Sequence, residues 1–590
     1  MPDSPVPPNR VTRRSLARRG GALGAGGVLV AGSAAALLAA FAGSAGAAST
    51  ITVDSSGDST VDASRCGDAT PGDCTLRDAA AAAADGDTIN FDASISSITL
   101  SYGSIVLGAE NIIGPGSATL AITTSALETY DVFNFQGTGD VTVSGFSLTK
   151  NRIFTANQGK FTMNDVSISN SYGGYGGALY AVNSSDLVIS GSHFENNDSG
   201  NGNKGGAIYA VNNGKVTITD TEIIDNNAQT NGAGGGIFVG SGATSFSLTD
   251  SVVTGNTAQN GGGLNIVTAG TITIADSDIS SNTGTGAGGG ANIPTSGGSV
   301  PVSGGQVTID RTTFDANTAV TGGGISISER AVVMTNSTVS NNTASSGGGG
   351  FKVASSSQAT FNNTTISGNN AVTYGGGFYF SLVSGVSFNQ STISENEAGA
   401  AGGLMTRTNS AFVTLELSGT ILSGNSSTLS GFEDVYANKN TALNSEYSIL
   451  GNSNGPVVTD LGGTIRSSTP GLLALADNGG PTLTMALDPT SIAIDAGPDP
   501  VATFTGNGFD QRGTPWVRVS GSAVDIGAFE LQADPPPTSS TTSTSTSTTS
   551  TTTVPTSSTS TTTVPTSTTT LAIDPNDTVG DDPMAPAFAG

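Results

Sequence analysis

Asp220, Asp250 and Asp276 follow three alternating runs, Val216/Ile218, Phe246/Leu248 and Ile272/Ile274, at one shared offset. If those runs are equivalent strands on consecutive coils, the carboxylates stack about 5 Å apart. Like charges at that spacing either hold a cation such as Ca2+ or raise one another's pKa. The plainer alternative is that each aspartate turns its own segment of chain, as Asp commonly does. A second column is aromatic. Tyr180, Tyr209 and Phe238 each follow the first apolar residue after a glycine cluster, and Tyr379 does so later. By alternation these rings face outward, where stacked rings offer a flat platform to a sugar or to an aromatic side chain of a partner. Cross-strand packing that stiffens a sheet is the other use of such rings.

Other reactive groups are scarce. The sole histidine, His193, lies between Ser192 and Phe194 in an outward position and reads as a solvated strand residue. Lys and Arg number 20 against 46 acids, and they do not gather with acids at equivalent positions. A lyase needs such a base beside its calcium-binding carboxylates. Cys66 and Cys74 stand eight residues apart, a spacing that fits a small disulfide loop in an exported chain better than a metal site with four ligands. Trp516 reads as packing in the C-terminal region.

Columns require a scaffold that repeats. The stretch Gly205 to Asn227 is one unit: a glycine pair, three short runs, then an apolar residue followed three positions later by asparagine. Glycine clusters precede Leu179, Ile208, Ile237, Leu264, Ala291, Ile325, Phe351, Phe378 and Leu404 at intervals of 26 to 34 residues. The apolar/Asn landmark appears as Phe194/Asn197, Ile224/Asn227, Val253/Asn256, Ile279/Asn282, Phe314/Asn317, Val339/Asn342, Ile366/Asn369, Ile393/Asn396, Leu422/Asn425 and Ile449/Asn452. Between landmarks the period is two, so each unit predicts three strands of about four or five residues. A propeller blade would need four strands and roughly 40 to 50 residues. The expected fold is therefore all-β, a right-handed parallel β-helix of the pectate-lyase-like kind, with roughly fifteen coils. Asparagine would hydrogen-bond to its own copies at one corner, and glycine would serve the other, tighter corner.

Taken in order, residues 1–47 read as a secretory signal: Thr12-Arg13-Arg14-Ser15-Leu16, a long Ala/Gly/Val/Leu stretch, and Ala45-Gly46-Ala47 as a cleavage site. The arginine pair resembles a twin-arginine export signal, and a general-secretion signal carrying arginines is the alternative. Removing it deepens the net charge from −26 to about −30, because five Arg and one Asp leave. Such a surface repels nucleic acid and anionic lipid, and suits calcium, cationic partners or neutral sugars. Residues 48–150 form the N-terminal cap and first irregular coils, where Thr75 and Asp78 predict a helix start that the alanines continue. A short helix there covers strand edges that the first coil would otherwise expose. Regular coils occupy 151–455, with Ser171 replacing the asparagine after Ile168, and 456–533 forms the last coils and a compact cap. Residues 534–590 are a Ser/Thr/Pro stalk and an acidic tail without an apolar span of membrane length.

Cys74-Thr-Leu-Arg-Asp-Ala79 resembles the CSLREA module of exported bacterial β-helix proteins, departing from it at Thr75 and Asp78. The glycine clusters and Phe-x-x-Asn pairs resemble the repeats of chlamydial polymorphic outer-membrane proteins. Asp477-Asn-Gly-Gly-Pro481, Ala493-Ile-Asp-Ala-Gly497, Asp510-Gln-Arg-Gly513 and Asp525-Ile-Gly-Ala-Phe-Glu530 resemble the end region of choice-of-anchor Q proteins. Together these cover about residues 50–531 and imply an architecture and a style of attachment, not a reaction. Polygalacturonase-like strings such as Asn-Thr-Asp, Gly-His-Gly and Arg-Ile-Lys are absent. The expectation is a monomeric secreted or cell-surface protein that binds a glycan or another surface component without catalysis. A lyase or hydrolase of acidic polysaccharide, and a structural envelope spacer, are the alternatives.

Overall fold

The computed structural model describes residues 48–532, apart from 68–69, 126–130, 157, 230, 269, 295–304, 356–357, 408–412, 438–440, 455, 499–500, 502–503 and 505. The signal and the stalk lie outside the described residues. Within them the chain winds into a right-handed parallel β-helix. Coil on coil, equivalent residues pair in parallel register, as Leu179 does with Ile208 and Ile208 with Ile237. One sheet holds 14 strands, one per coil, against the roughly fifteen expected. A 29-stranded sheet takes two strands from most coils and a 7-stranded sheet lines the third side.

The unit predicted from Gly205 to Asn227 forms Ile208–Val211, Lys215–Thr219 and Glu222–Ile224. The third strand is shorter than expected, at 3 residues. Alternation sends Val216 and Ile218 inward, and both are fully buried. Each coil thus contributes a short set of apolar side chains to a core that its neighbours complete, which is why so little apolar sequence suffices. Gly205 adopts φ 69°, and a Cβ there would collide with the carbonyl of Ile208. A Cβ on Gly206 would strike the carbonyl of Gly235 on the next coil. The glycine pair therefore serves both turn conformation and coil-to-coil approach.

The asparagine corner is a continuous ladder. Asn197 donates from Nδ2 to Asn226 Oδ1 at 2.9 Å, and Asn317 to Asn342 in the same way at 2.9 Å. Nine asparagines run from Asn197 to Asn425. Ser171 opens the series, its N–H donating to Asn197 Oδ1 at 3.1 Å. Two of the landmark pairs are displaced by one residue. Phe194 pairs with Ile223, so Ile223/Asn226 is the true pair and not Ile224/Asn227. Leu422 pairs with Leu450, so Ile449/Asn452 is also out of register. Asp434 closes the ladder there, accepting from Asn425 Nδ2 at 2.8 Å and from the N–H of Asn452 at 2.8 Å.

The two ends differ. At the N-terminal end Thr75 and Asp78 form a full capping box for the helix Leu76–Ala82, whose Leu76 and Ala79 enter the core. The C-terminal segment was expected to cap the other end, and it instead lies along the flank of the 29-stranded sheet. Gln511 donates to Thr338 Oγ1 at 2.9 Å and accepts from Thr365 Oγ1 at 2.6 Å, while the N–H of Ala528 donates to Thr392 Oγ1 at 3.0 Å. A second small core joins Ile421 and Ile449 of the coil to Leu487, Ala493, Ile526 and Phe529 of the segment. Apolar burial and three threonines of consecutive coils, not coverage of strand edges, decide where the segment docks. The last long strand of the broad sheet, Val457–Gly462, leaves Val457 65% exposed.

Candidate functional site

The aromatic column is assembled by the strand that follows each glycine pair. Phe154, Tyr180, Tyr209 and Phe238 are register partners on four coils. Tyr180 and Tyr209 meet edge-on at 5.2 Å between centroids, and Tyr209 and Phe238 stack at 5.4 Å with 8° between planes. Tyr175, from the loop before the glycines, closes over them at 4.9 Å from Tyr209. Tyr172 and Tyr175 are 55% and 41% exposed, and Tyr180 and Tyr209 are half-buried. Phe238 departs from expectation, being only 4% exposed, because Lys204 places its ammonium 4.6 Å over the ring. Arg152 lies 5.4 Å from the Tyr180 ring, donates to the Tyr175 carbonyl and pairs with Asp131. Burial, then the neighbouring Tyr180 and Tyr175, raises the pKa of the Tyr209 hydroxyl, so it remains a neutral hydrogen-bonding group. The site is thus a cluster of rings with Tyr175 as its exposed member, half-walled by two cations.

Sequence alternation finds Tyr180, Tyr209 and Phe238 but not Tyr175, which belongs to the glycine loop. A signal was present all the same, since Tyr175 directly precedes the first glycine of its cluster.

Asp220, Asp250 and Asp276 occupy the bend between the two strands of the broad sheet, with φ of 49°, 49° and 50°. Left-handed backbone favours Asp, Asn and Gly, which explains the recurrence without any ligand. The same position holds Arg311 on the next coil, contrary to the expectation that bases avoid equivalent positions. Arg311 donates to Asp276 at 2.6 and 2.7 Å and also pairs with Asp310. Burial, with Asp276 and Asp220 adding repulsion, pushes the Asp250 carboxyl up. Among the described residues no three His, Cys, Asp or Glu side chains converge where they could hold a metal ion.

One residue beyond that bend sits a hydroxyl, a feature that sequence reading missed. The N–H of Thr221 donates to Ser251 Oγ at 3.2 Å, and that of Ser251 to Ser277 Oγ at 3.2 Å. The signal, a Ser or Thr after each bend residue from Asp220 to Gln390, was legible. His193 lies between Glu222 at 3.0 Å and Glu195 at 3.4 Å, half-exposed, with no partner arranged for nucleophilic chemistry. Cys66 and Cys74 form the expected disulfide beside the N-terminal helix. The terminal motifs prove to be internal fastenings. Arg512 pairs with Asp510 and lies 3.8 Å over the Phe529 ring, while Arg518, fully buried, reaches Asn363 and the carbonyl of Gly527. Trp516 packs on Arg512 at 5.1 Å.

Among the described residues no helix is long and apolar enough to cross a membrane. No curated protein sequence matches the chain. Solved structures resemble it in part, two of them as follows. Bacteriophage CBA120 tailspike protein 3 is 12% identical with a TM-score of 0.38, over 67% of this chain and 56% of the tailspike. Pectate lyase Pel9A is 12% identical with a TM-score of 0.26, over 82% of this chain and 96% of the lyase. The chain therefore spans little more than half the length of the tailspike it resembles. The family described as right handed beta helix region matches residues 129–279 and 262–466. With one stack of parallel coils running through those same residues, the chain belongs to the right-handed β-helix family.

Proposed function

We propose that this is a secreted or cell-surface β-helix protein that binds a glycan through the tyrosine cluster of its glycine edge and does not cleave it. The observation that carries this reading is the exposure of Tyr175 above Tyr180 and Tyr209. Cross-strand packing alone would bury such rings, whereas a sugar face stacks on them and its hydroxyls reach the phenol oxygens. A net charge of −26 over the whole chain favours neutral sugars over anionic ones. The export-type signal in residues 1–47 and the Cys66–Cys74 disulfide support a location outside the cytoplasm. The CSLREA-like and choice-of-anchor-like motifs support the same location, and the ligand is a free glycan or a glycan-bearing cell-surface component.

The second reading, a lyase or hydrolase of acidic polysaccharide, draws on Arg311 beside the aspartate column. Its weakness is that Asp276 and Asp310 hold Arg311 firmly protonated, so it is a poor proton acceptor. A purely structural spacer leaves the exposed rings without a use.

The test is binding of the mature chain, from residue 48, to a glycan array with and without calcium, followed by product analysis on each bound sugar. Binding without shortened or unsaturated products, weakened at least tenfold by Tyr209→Ala, supports the proposal. Calcium-dependent cleavage would instead move the site to Asp220, Asp250 and Asp276.

A further inference from the structure

The tyrosine cluster is not the sole one of its kind on this edge. Tyr175 precedes the first glycine of its cluster and Tyr180 is the second residue of the strand that follows; their centroids are 6.2 Å apart with 38° between planes. Tyr374 and Tyr379 hold the same two positions in a later coil, again 6.2 Å apart, with 21° between planes. The register connects them directly. Tyr180 pairs with Tyr209, then Phe238, Asn265, Asn292, Ser326 and Lys352 before Tyr379 is reached. Seven coil steps at about 4.8 Å put the two clips roughly 34 Å apart along one straight edge.

The positions between them are also informative. Asn265, Asn292 and Ser326 are 4%, 7% and 4% exposed, so these polar side chains are covered within the coil, Asn265 donating to the Asn260 carbonyl at 3.2 Å, and none of the three carries a ring. Lys352, half-buried with its pKa lowered by burial, donates to Thr321 Oγ1 at 3.3 Å beside the distal clip. The edge therefore carries two like tyrosine clips separated by register partners that carry no ring.

We propose that both clips grip one linear, neutral polysaccharide chain, which lies along the solenoid axis and stacks a sugar ring on each tyrosine pair. This rests on the glycan-binding reading above and deepens it from a local sugar site to a two-point polymer site. Nucleic acid offers rings to stack as well, but as a polyanion it is repelled by a chain with 46 acids and 20 bases. Two weak sites engaging one chain act at high effective concentration and gain about 10²-fold or more over either alone. A ligand shorter than the span gains nothing.

The experiment uses the full mature chain, a panel of xylan, β-1,3-glucan, β-1,4-mannan and polygalacturonate, and size-fractionated oligomers of whichever polymer binds. Titration calorimetry gives affinity and stoichiometry for the unaltered chain, for Tyr175→Ala/Tyr180→Ala and for Tyr374→Ala/Tyr379→Ala. The expected result is binding of a neutral polymer, one stretch of chain per protein, that weakens about 10²-fold or more in either double variant. Short oligomers bind two per protein in the unaltered chain and one in each variant. Tyr374→Phe/Tyr379→Phe, which keeps the rings, retains most of the polymer affinity, and unchanged thermal unfolding separates lost binding from lost fold. If Tyr374→Ala/Tyr379→Ala leaves polymer affinity and oligomer stoichiometry unchanged while the other double variant loses binding, the two-point site is wrong and the single site stands. Preference for polygalacturonate overturns the neutral-ligand assignment. Absence of binding to every polymer and oligomer sinks both readings.

Discussion

A single column of outward side chains runs along the short strands of the broad sheet and changes character midway. Its earlier members include His193, Glu222, Val252 and Asp278. After Thr313 it continues as Thr338, Thr365, Thr392 and Ile421. The backbone is the same in both stretches, yet Glu222 has a half-exposed side chain and Thr338, Thr365 and Thr392 are buried beneath the C-terminal segment. A carboxylate or imidazolium cannot be covered without losing its water. Threonine presents one hydroxyl, which Gln511 or the N–H of Ala528 can satisfy, and a methyl that packs. Coil geometry supplies a face; its side-chain chemistry decides whether that face becomes surface or interface.

The sharpest way to break this contrast is to carry the first stretch into the second. Thr365→Glu would bury an unpaired carboxylate under Gln511, an expected cost of about 3–5 kcal/mol. Residues 468–532 should then become the first site of limited proteolysis while the coils remain folded; an undigested segment would refute the argument. Next in size is Asn317→Ala in the ladder. It removes a side chain that accepts from Asn282, donates to the Ile279 carbonyl and donates to Asn342. Denaturant unfolding should show a loss of about 2–4 kcal/mol, because the Asn282 donors lose their acceptor while the Ile279 carbonyl and Asn342 Oδ1 lose a donor.

The pH dependence of the docked segment is smaller and has a definite sign. Burial raises the Glu530 carboxyl from its ordinary 4.5 to about 8, although it accepts the N–H groups of Ser520 and Asp525. The docked state therefore keeps a proton that the undocked segment releases. Stability from this group is fully present below 4.5 and is lost as pH rises through about 8. Proteolytic release of the segment should accelerate across that window, and Glu530→Gln should flatten the profile. The smallest expected effect is Glu222→Thr, which carries the second stretch's residue into the first. With nothing docked above it, stability should shift by no more than about 0.5 kcal/mol in thermal unfolding.

The coil was legible because its signals are local and repeated: glycine pairs, period-two runs and a recurring asparagine. Register failed where the local signal was degenerate. Asn226 and Asn227 are adjacent, and only the inward burial of Ile223 decides between them. Asp434 could not be read from spacing, since it enters the ladder from a loop nine residues past Asn425. Tyr180 and Tyr209 were legible as an outward column, while Tyr175 joins them only once the loop folds over. The docking of Gln511 on Thr338 joins residues 173 apart, and no repeat announces a contact that occurs once. Arg311 was hidden by type, because a column read as acidic continues with a base when the shared property is left-handed backbone.

The asparagine ladder also behaves as a polymerisation with an initiator, a propagating unit and a terminator. Ser171 begins it by donating its N–H to Asn197 Oδ1 while its hydroxyl is spent on the carbonyl of Asn151. Each asparagine then offers the next coil one amide donor and demands one acceptor in return, so growth can continue as long as the monomer is supplied. Asp434 accepts on both oxygens and has no amide to pass on, so the series cannot propagate through it. A lengthened solenoid must therefore receive its extra coils upstream of Asp434, whereas units appended after it would begin as a separate chain of bonds.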